Sequence, residues 1–501
     1  MVFSSLPFLC VFLPVVFLLT LAVPGMRAKN LLLAVFSLVF YAYGEPVYVL
    51  LMVVSTIANW LFGWGIGRLR AGAGSGAAGG PAAGEANTPA SADADAGSTA
   101  GSTATRAAKA LLAAAVVVNL AFLGFFKYAG LAVGTVNALA GTALAEPDVA
   151  LPIGISFYTF QAMSYVIDVY RGETPGQRSY LKVLLYISFF PQLISGPIVK
   201  YHDIAAQLDE RRITLAGTAL GFRRFCFGLA KKVLVANAMG EVADAVFAAG
   251  SSEVNIAVAW LGAIAYLLQI YFDFSGYSDM AIGLARMFGF TYKENFRYPY
   301  AATSIKEFWR RWHISLSTWL KEYLYIPLGG NRKGRPRTVA NKVVVFFLCG
   351  LWHGAAWTFA VWGLIHGFFL LLEEYLPIHK LPKPLGWLYT MLVVTFAFVL
   401  FRADSFGQGL FMWQQMLFGL HFEAACTALA LQQLTPLFIV TFIVACVAAS
   451  PVKLALQRRA EGSAHAQLLE GLAYALGLML LVLSLLALAS GGYNPFIYFR
   501  F

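Results

Sequence analysis

The dominant signal along the chain is a succession of long apolar runs separated by short polar breaks. A bilayer-spanning helix needs about 20 mostly apolar residues. Clear runs lie at 5–24, 47–67, 109–126, 255–272, 341–360, 384–401, 433–450 and 469–490. Weaker ones lie at 30–43, 131–145, 151–169, 181–199, 217–237 and 357–376. Some of these are too short or too polar to cross upright, so they predict tilted, re-entrant or interfacial segments. The pattern as a whole predicts an all-α integral membrane protein with about eleven transmembrane helices.

Two stretches break the pattern. Residues 71–105 are small, polar and rich in Gly, Ala and Ser, a composition that cannot bury a core. They predict a disordered linker over 71–106, separating N-terminal transmembrane helices (1–70) from a core (107–501). Arg68, Arg70, Arg106 and Lys109 flank the linker and place it in the cytoplasm. Its Gly74–Gly79 stretch matches G-x-G-x-x-G, but no βαβ unit surrounds it, so it is not a dinucleotide site.

The second break runs from 273 to 335. In EFWRRWHISLSTWLKEYLYIPLGGNRKGRPR, Phe308, Trp312, Ser315 or Leu316, and Trp319 fall on one face of a helix. Arg310, Arg311 and Lys321 fall on others. A helix with aromatics opposite cations lies in the membrane interface. Aromatic walls with nearby cations suit a phosphate-rich, nucleotide-bearing ligand; a plain interfacial helix with snorkelling arginines is the alternative reading. Lys306, Arg310, Arg311 and the basic cluster at 332–337 mark this region as cytoplasm-facing.

Composition reinforces the membrane assignment. The 501 residues are 59% hydrophobic and 12% charged, against about 25% charged in soluble domains. The net charge of +11 fits basic cytoplasmic loops. No basic solvated domain is present, which excludes a nucleic-acid partner. The five cysteines form no C-x-x-C pair, so neither a disulfide framework nor a zinc site is expected. The first apolar segment lacks a basic n-region, so a cleaved signal peptide is not expected. Arg27 and Lys29 follow that segment and put its start outside.

Seven histidines are present. His353, in VVVFFLCGLWHGAAWTFAVWGLIHG, is embedded in apolar sequence. An ionisable side chain at membrane depth is costly and signals function. A neutral, desolvated imidazole can accept a proton from a hydroxyl, as a general base must. A buried histidine bonded to a neighbouring carbonyl is the alternative. His313 lies on the interfacial helix beside Trp312 and could reach the same cavity. His366 falls on a different face from His353 if one helix continues through both, and reads as structural. His202, His379, His421 and His465 read as solvated. Asp273 and Asp279, in YFDFSGYSDMAIG, are carboxylates near membrane depth that could pair with a cation or line an aqueous path. No H-E-x-x-H, G-x-S-x-G or Walker motif occurs.

The chain resembles the membrane-bound O-acyltransferase family, and within it the bacterial alginate O-acetyltransferase branch. The matching stretches are IGISFYTFQAMSYVIDVYR from Ile153, YISFFPQLISGP from Tyr186, QIYFDFSGYSDMA from Gln269 and NFRYPY from Asn295. FWRRWHISLSTWLKEYLYIPLGGN from Phe308, LWHGAAWTFAVWGLIHG from Leu351 and NPFIYFRF from Asn494 complete the set. The resemblance implies helices, some re-entrant or interfacial, arranged around a central tunnel. It implies catalytic roles for His353 and His313. Trp312, Arg310, Arg311, Trp352 and Asp273 are the candidate substrate-binding residues. It further implies acetyl-CoA as a cytoplasmic donor substrate, with no resident cofactor or metal, and residence in the bacterial inner membrane. Periplasmic acetyl-accepting partners would pass the group to an exopolysaccharide such as alginate. Peptidoglycan or another glycan as acceptor, D-alanyl transfer to teichoic acid, a solute transporter and a non-catalytic scaffold are the rival readings.

Overall fold

The computed structural model describes residues 1–75, 93–460 and 465–497, and all regular structure among them is helical. Among the described residues, five helical stretches are long and apolar enough to cross a membrane: Tyr48–Gly72, Thr103–Ala140, Ile256–Met287, Lys383–Arg402 and Ala466–Ala489. A sixth would be Ala424–Gln433 with Pro436–Ala449, bent by 69° between them.

Several apolar runs are broken where the hydrophobic pattern alone is continuous. The run at 341–360 splits into helices Arg335–His353 and Trp357–Tyr375, with extended backbone at Gly354 and Ala356. The expected interfacial helix splits into Ile305–Arg311 and Ile314–Leu320 at His313. Hydropathy reports burial and is blind to a reversal of chain direction, which costs nothing in apolar character.

The chain divides into two compact units, one made mainly of 16–194 and 198–212, the other of 2–15, 195–197 and 213–501. The stretch at 71–106 is not a boundary between them. The middle of that expected linker, 76–92, lies outside the described residues. On either side of it, backbone through Ser75 and from Asp93 onward is helical, because Ala-rich sequence propagates a helix already nucleated by an apolar span. In the first unit these two helices pack together. Asn59 and Asn119 exchange reciprocal side-chain amide hydrogen bonds of 3.1 and 2.8 Å across the contact. Such polar pairs join helices in an apolar solvent that offers no hydrophobic drive for association.

The second unit is organised on Ile256–Met287, whose residues are mostly buried. Leu215–Ala230 crosses it at backbone contact distance. A Cβ on Gly228 would stand 2.7 Å from Gly276 O, and one on Gly283 would stand 2.6 Å from Gly221 O. The hairpin of Arg335–His353 and Trp357–Tyr375 is as close: a Cβ on Gly350 would meet Phe359 O at 2.1 Å. Dispersion between closely approaching backbones is what holds helices together in lipid. This hairpin delivers His353 to the middle of the unit.

Candidate active site

His353 is the last residue of its helix and is 6% exposed. Around it lie the rings of Trp352 at 5.0 Å, Trp362 at 5.2 Å and Phe401 at 5.4 Å, centroid to centroid. The His313 ring is 6.2 Å away. A cavity opens against His353, bounded by Ile270 and Phe274 of Ile256–Met287, Trp312, and Trp362. Phe398 and Phe401 of Lys383–Arg402, and Ile497, close it. About 10 Å³ is available there to the centre of a water-sized group, enough for one water or one methyl-sized group.

His313 reaches this place by a strained backbone. Its φ is +43°; Tyr298, at +50°, is the one other non-glycine residue with positive φ among those described. The left-handed region costs a β-carbon-bearing residue about 1–3 kcal/mol and persists where surrounding bonds hold it. Here the 295–298 loop does so: Arg297 N–H donates to Arg311 O at 2.9 Å, and Ile314 N–H to Asn295 O at 2.9 Å. Asn295 also caps the second helix, its Oδ1 accepting from Ser315 N at 3.1 Å and Ser315 Oγ at 2.9 Å. These donors, together with Asn295 Nδ2–H donating to Ser278 Oγ at 3.0 Å, fix which end of the amide is carbonyl. His313 Nδ1, 3.2 Å from the same Oδ1, must therefore carry the proton and donate. Nε2 is left unprotonated, buried, and without a hydrogen-bond partner among the described residues.

Of the residues singled out in the sequence, His353, His313, Trp312 and Trp352 meet here. Trp312 lines the cavity and stacks on Phe308 at 5.5 Å; Trp352 packs on both histidines without lining it. Arg310 is exposed, and the Arg311 guanidinium is held 2.6 Å from Glu307 one turn away; neither lines the cavity. Asp273 does not line it either. Its carboxylate is buried, 2.9 Å from Lys232 Nζ, and accepts from Ile497 N–H at 3.0 Å. Asp279 binds Arg224 at 2.7 Å and Lys231 at 2.6 Å.

His366 belongs to the same aromatic cluster. With the helix broken after His353, the two histidines are not on opposite faces of one helix, and the Trp362 ring lies 4.8 Å from His366 and 5.2 Å from His353. Asn295, Trp362, Phe398, Phe401 and Ile497 escaped sequence reasoning, although Asn295 and Ile497 sit in the NFRYPY and NPFIYFRF motifs. Lys232, a cation in an apolar run, was a readable partner for Asp273.

In the first unit, His202 is not simply solvated. Its Nδ1 lies 2.9 Å from Asp168 and 3.3 Å from Glu173, and its Nε2 3.3 Å from Asp203. Hydrogen bonds to the Asp168 and Asp203 carboxylates push its pKa up to about 9. Asp168, Glu173 and His202 present ligand atoms within 4.8 Å of one another, a grouping that could hold a metal ion.

Buried imidazoles at a small apolar cavity, in a helical chain with membrane-length spans, form a candidate catalytic site. Residues 173–412 match the membrane-bound O-acyltransferase family. The chain is 40% identical to the probable alginate O-acetylase AlgI of Pseudomonas putida over 100% of both chains. It is 39% identical to the protein of the same name from Azotobacter vinelandii, again over 100% of both. It shares 37% identity with the peptidoglycan O-acetyltransferase of Helicobacter pylori over 62% of this chain and 65% of the other. The chain belongs to the membrane-bound O-acyltransferase family: it is a multi-pass membrane protein and an O-acyltransferase.

Proposed function

We propose that this enzyme takes an acetyl group from cytoplasmic acetyl-CoA and sends it through the bacterial inner membrane for O-acetylation of an exported polysaccharide, alginate or a close analogue. One observation carries this reading: His353 faces an apolar cavity with room for one methyl-sized group. So small an apolar space favours a two-carbon acyl group over a long chain. The full-length relatives named as alginate O-acetylases support the choice of polymer.

In this reading His353 is the general base. It takes the proton of an acceptor hydroxyl, the oxygen attacks the thioester carbonyl, the carbon–sulfur bond breaks, and the CoA thiolate leaves and is reprotonated. The neutral His313, with Nε2 bare, stands beside it. CoA is too highly charged to enter hydrocarbon, so it stays on the cytoplasmic face, with Lys306, Arg310, Arg311 and the 332–337 cluster on that side. A bundle of about eleven crossings around a tunnel, counting tilted and re-entrant segments, would carry the acetyl group outward.

A polysaccharide cannot thread a packed helical interior to reach His353. The proposal therefore includes a periplasmic partner whose hydroxyl receives the acetyl group and delivers it to polymer. The test is reconstitution in vesicles with acetyl-CoA on the cytoplasmic side and polymer on the other. Polymer acetylation that needs both His353 and an added partner supports the reading. Acetylation that survives His353→Ala overturns the site, and acetylation without a partner overturns the relay.

A further inference from the structure

We propose that Ile497 is the gate that restricts the acyl group at His353 to two carbons, and that the buried Lys232–Asp273 pair is the clamp that holds this gate in place. The inference rests on the acyl-transfer reading of the cavity.

Most of the cavity wall comes from long helices. Ile497 comes instead from an irregular strap, Tyr493–Ile497, that follows the Ala466–Ala489 helix. The strap is held largely by side chains. Tyr493 Oη donates to Asp244. Asn494 accepts from Asn237 at 3.2 Å and donates to Ser4 O at 2.9 Å. Lys232 Nζ donates to Pro495 O. The Phe496 ring packs 5.1 Å from Tyr277. Ile497 N–H donates to Asp273 at 3.0 Å.

Lys232 and Asp273 are 4% and 2% exposed and 2.9 Å apart. Charges buried at this depth are tolerated when each is paired and its remaining hydrogen bonds are met. Here each partner makes one hydrogen bond to the strap, Lys232 to Pro495 O and Asp273 from Ile497 N–H, one on either side of Phe496, and Lys232 Nζ donates also to Asn237 at 2.9 Å. The pair thus grips the backbone that carries Ile497 and turns its side chain into the space beside His353. Asp273, one of the residues expected to touch substrate, acts on this view as a positioning residue through Ile497.

The remaining cavity admits one methyl-sized group. Ile497→Ala replaces a butyl-sized side chain with a methyl and enlarges the cavity. One methylene in an apolar pocket is worth roughly 10–200-fold in discrimination, so this single side chain can separate two carbons from three.

The experiment compares acetyl-CoA and propionyl-CoA turnover, read as CoA thiol release with water as the acyl acceptor, in purified full-length wild type, Ile497→Ala, Ile497→Val and Asp273→Asn/Lys232→Met. Wild type should prefer acetyl-CoA. Ile497→Ala should raise the propionyl-to-acetyl ratio of kcat/KM about tenfold. Ile497→Val should raise it by less, and loosening the clamp should raise it with Ile497 intact. An unchanged ratio in a folded Ile497→Ala, or in Ile497→Val if the alanine variant does not fold, overturns the gate. His353→Ala in parallel separates the two ideas: full turnover in that variant rejects the site itself, whereas a dead His353→Ala beside an unchanged Ile497→Ala ratio rejects the gate alone.

Discussion

Asn295 Oδ1 lies 3.2 Å from His313 Nδ1 and thereby decides which nitrogen of that ring is bare. The same oxygen accepts from Ser315 N–H, so a single amide orients the ring, selects its tautomer and caps the helix that begins beside it. Replacing Asn295 with Ala should lower kcat about tenfold, the worth of one lost hydrogen bond, and leave KM for the donor nearly constant. Asn295→Gln should fail to restore it, because the longer side chain displaces the carbonyl. A rise in KM with unchanged kcat would place Asn295 in donor binding instead.

His353 is expected to be indispensable to transfer and dispensable to folding. It packs among rings at the cavity, at the end of its helix. His353→Ala and His353→Gln should cut turnover by roughly 100-fold or more at wild-type membrane levels. If label from acetyl-CoA stays on wild-type protein after denaturation, and is lost in His353→Gln, the histidine is acylated and the direct-attack step is wrong.

Gly350 sits where the two arms of the His353 hairpin touch. A Cβ there would lie 2.1 Å from Phe359 O, so the arms must separate to admit it. Gly350→Ala should destabilise the protein by about 1–3 kcal/mol and reduce activity through displacement of His353. A melting temperature and turnover equal to wild type would mean that the hairpin is wider in the membrane.

The His202 cluster gives a pH dependence of stability. The folded-state pKa of about 9 lies above the ordinary value of 6.5, so folding favours the protonated ring. The resulting stabilisation is complete below about pH 6.5 and disappears as pH rises through about 9. Partial exposure of the ring limits its size. The melting temperature of wild type should fall relative to that of His202→Gln between those limits. Parallel curves would show that the carboxylates of Asp168, Glu173 and Asp203 are balanced by other groups.

The sequence by itself determined the solvent and the chemistry. Apolar runs of membrane length required helices in lipid, and a titratable ring inside such a run had to be either a burden or a site; together with the motif set, this pointed to His353 and His313. What it could not supply was direction. Hydropathy is the same for a helix that continues and one that turns back, so the breaks at His313 and after His353 were invisible, and with them the meeting of His366 with the cluster and the retreat of Arg310 and Arg311 from it. Nor could spacing show that residues 270, 312, 353, 398 and 497 share one cavity. That depends on which backbones approach closest, at Gly228 against Gly276 and Gly350 against Phe359. It depends also on a buried charge pair finding its remaining partners in a distant strap. Tertiary packing decided these because each unmet polar group in an apolar interior costs more than the local conformation can repay.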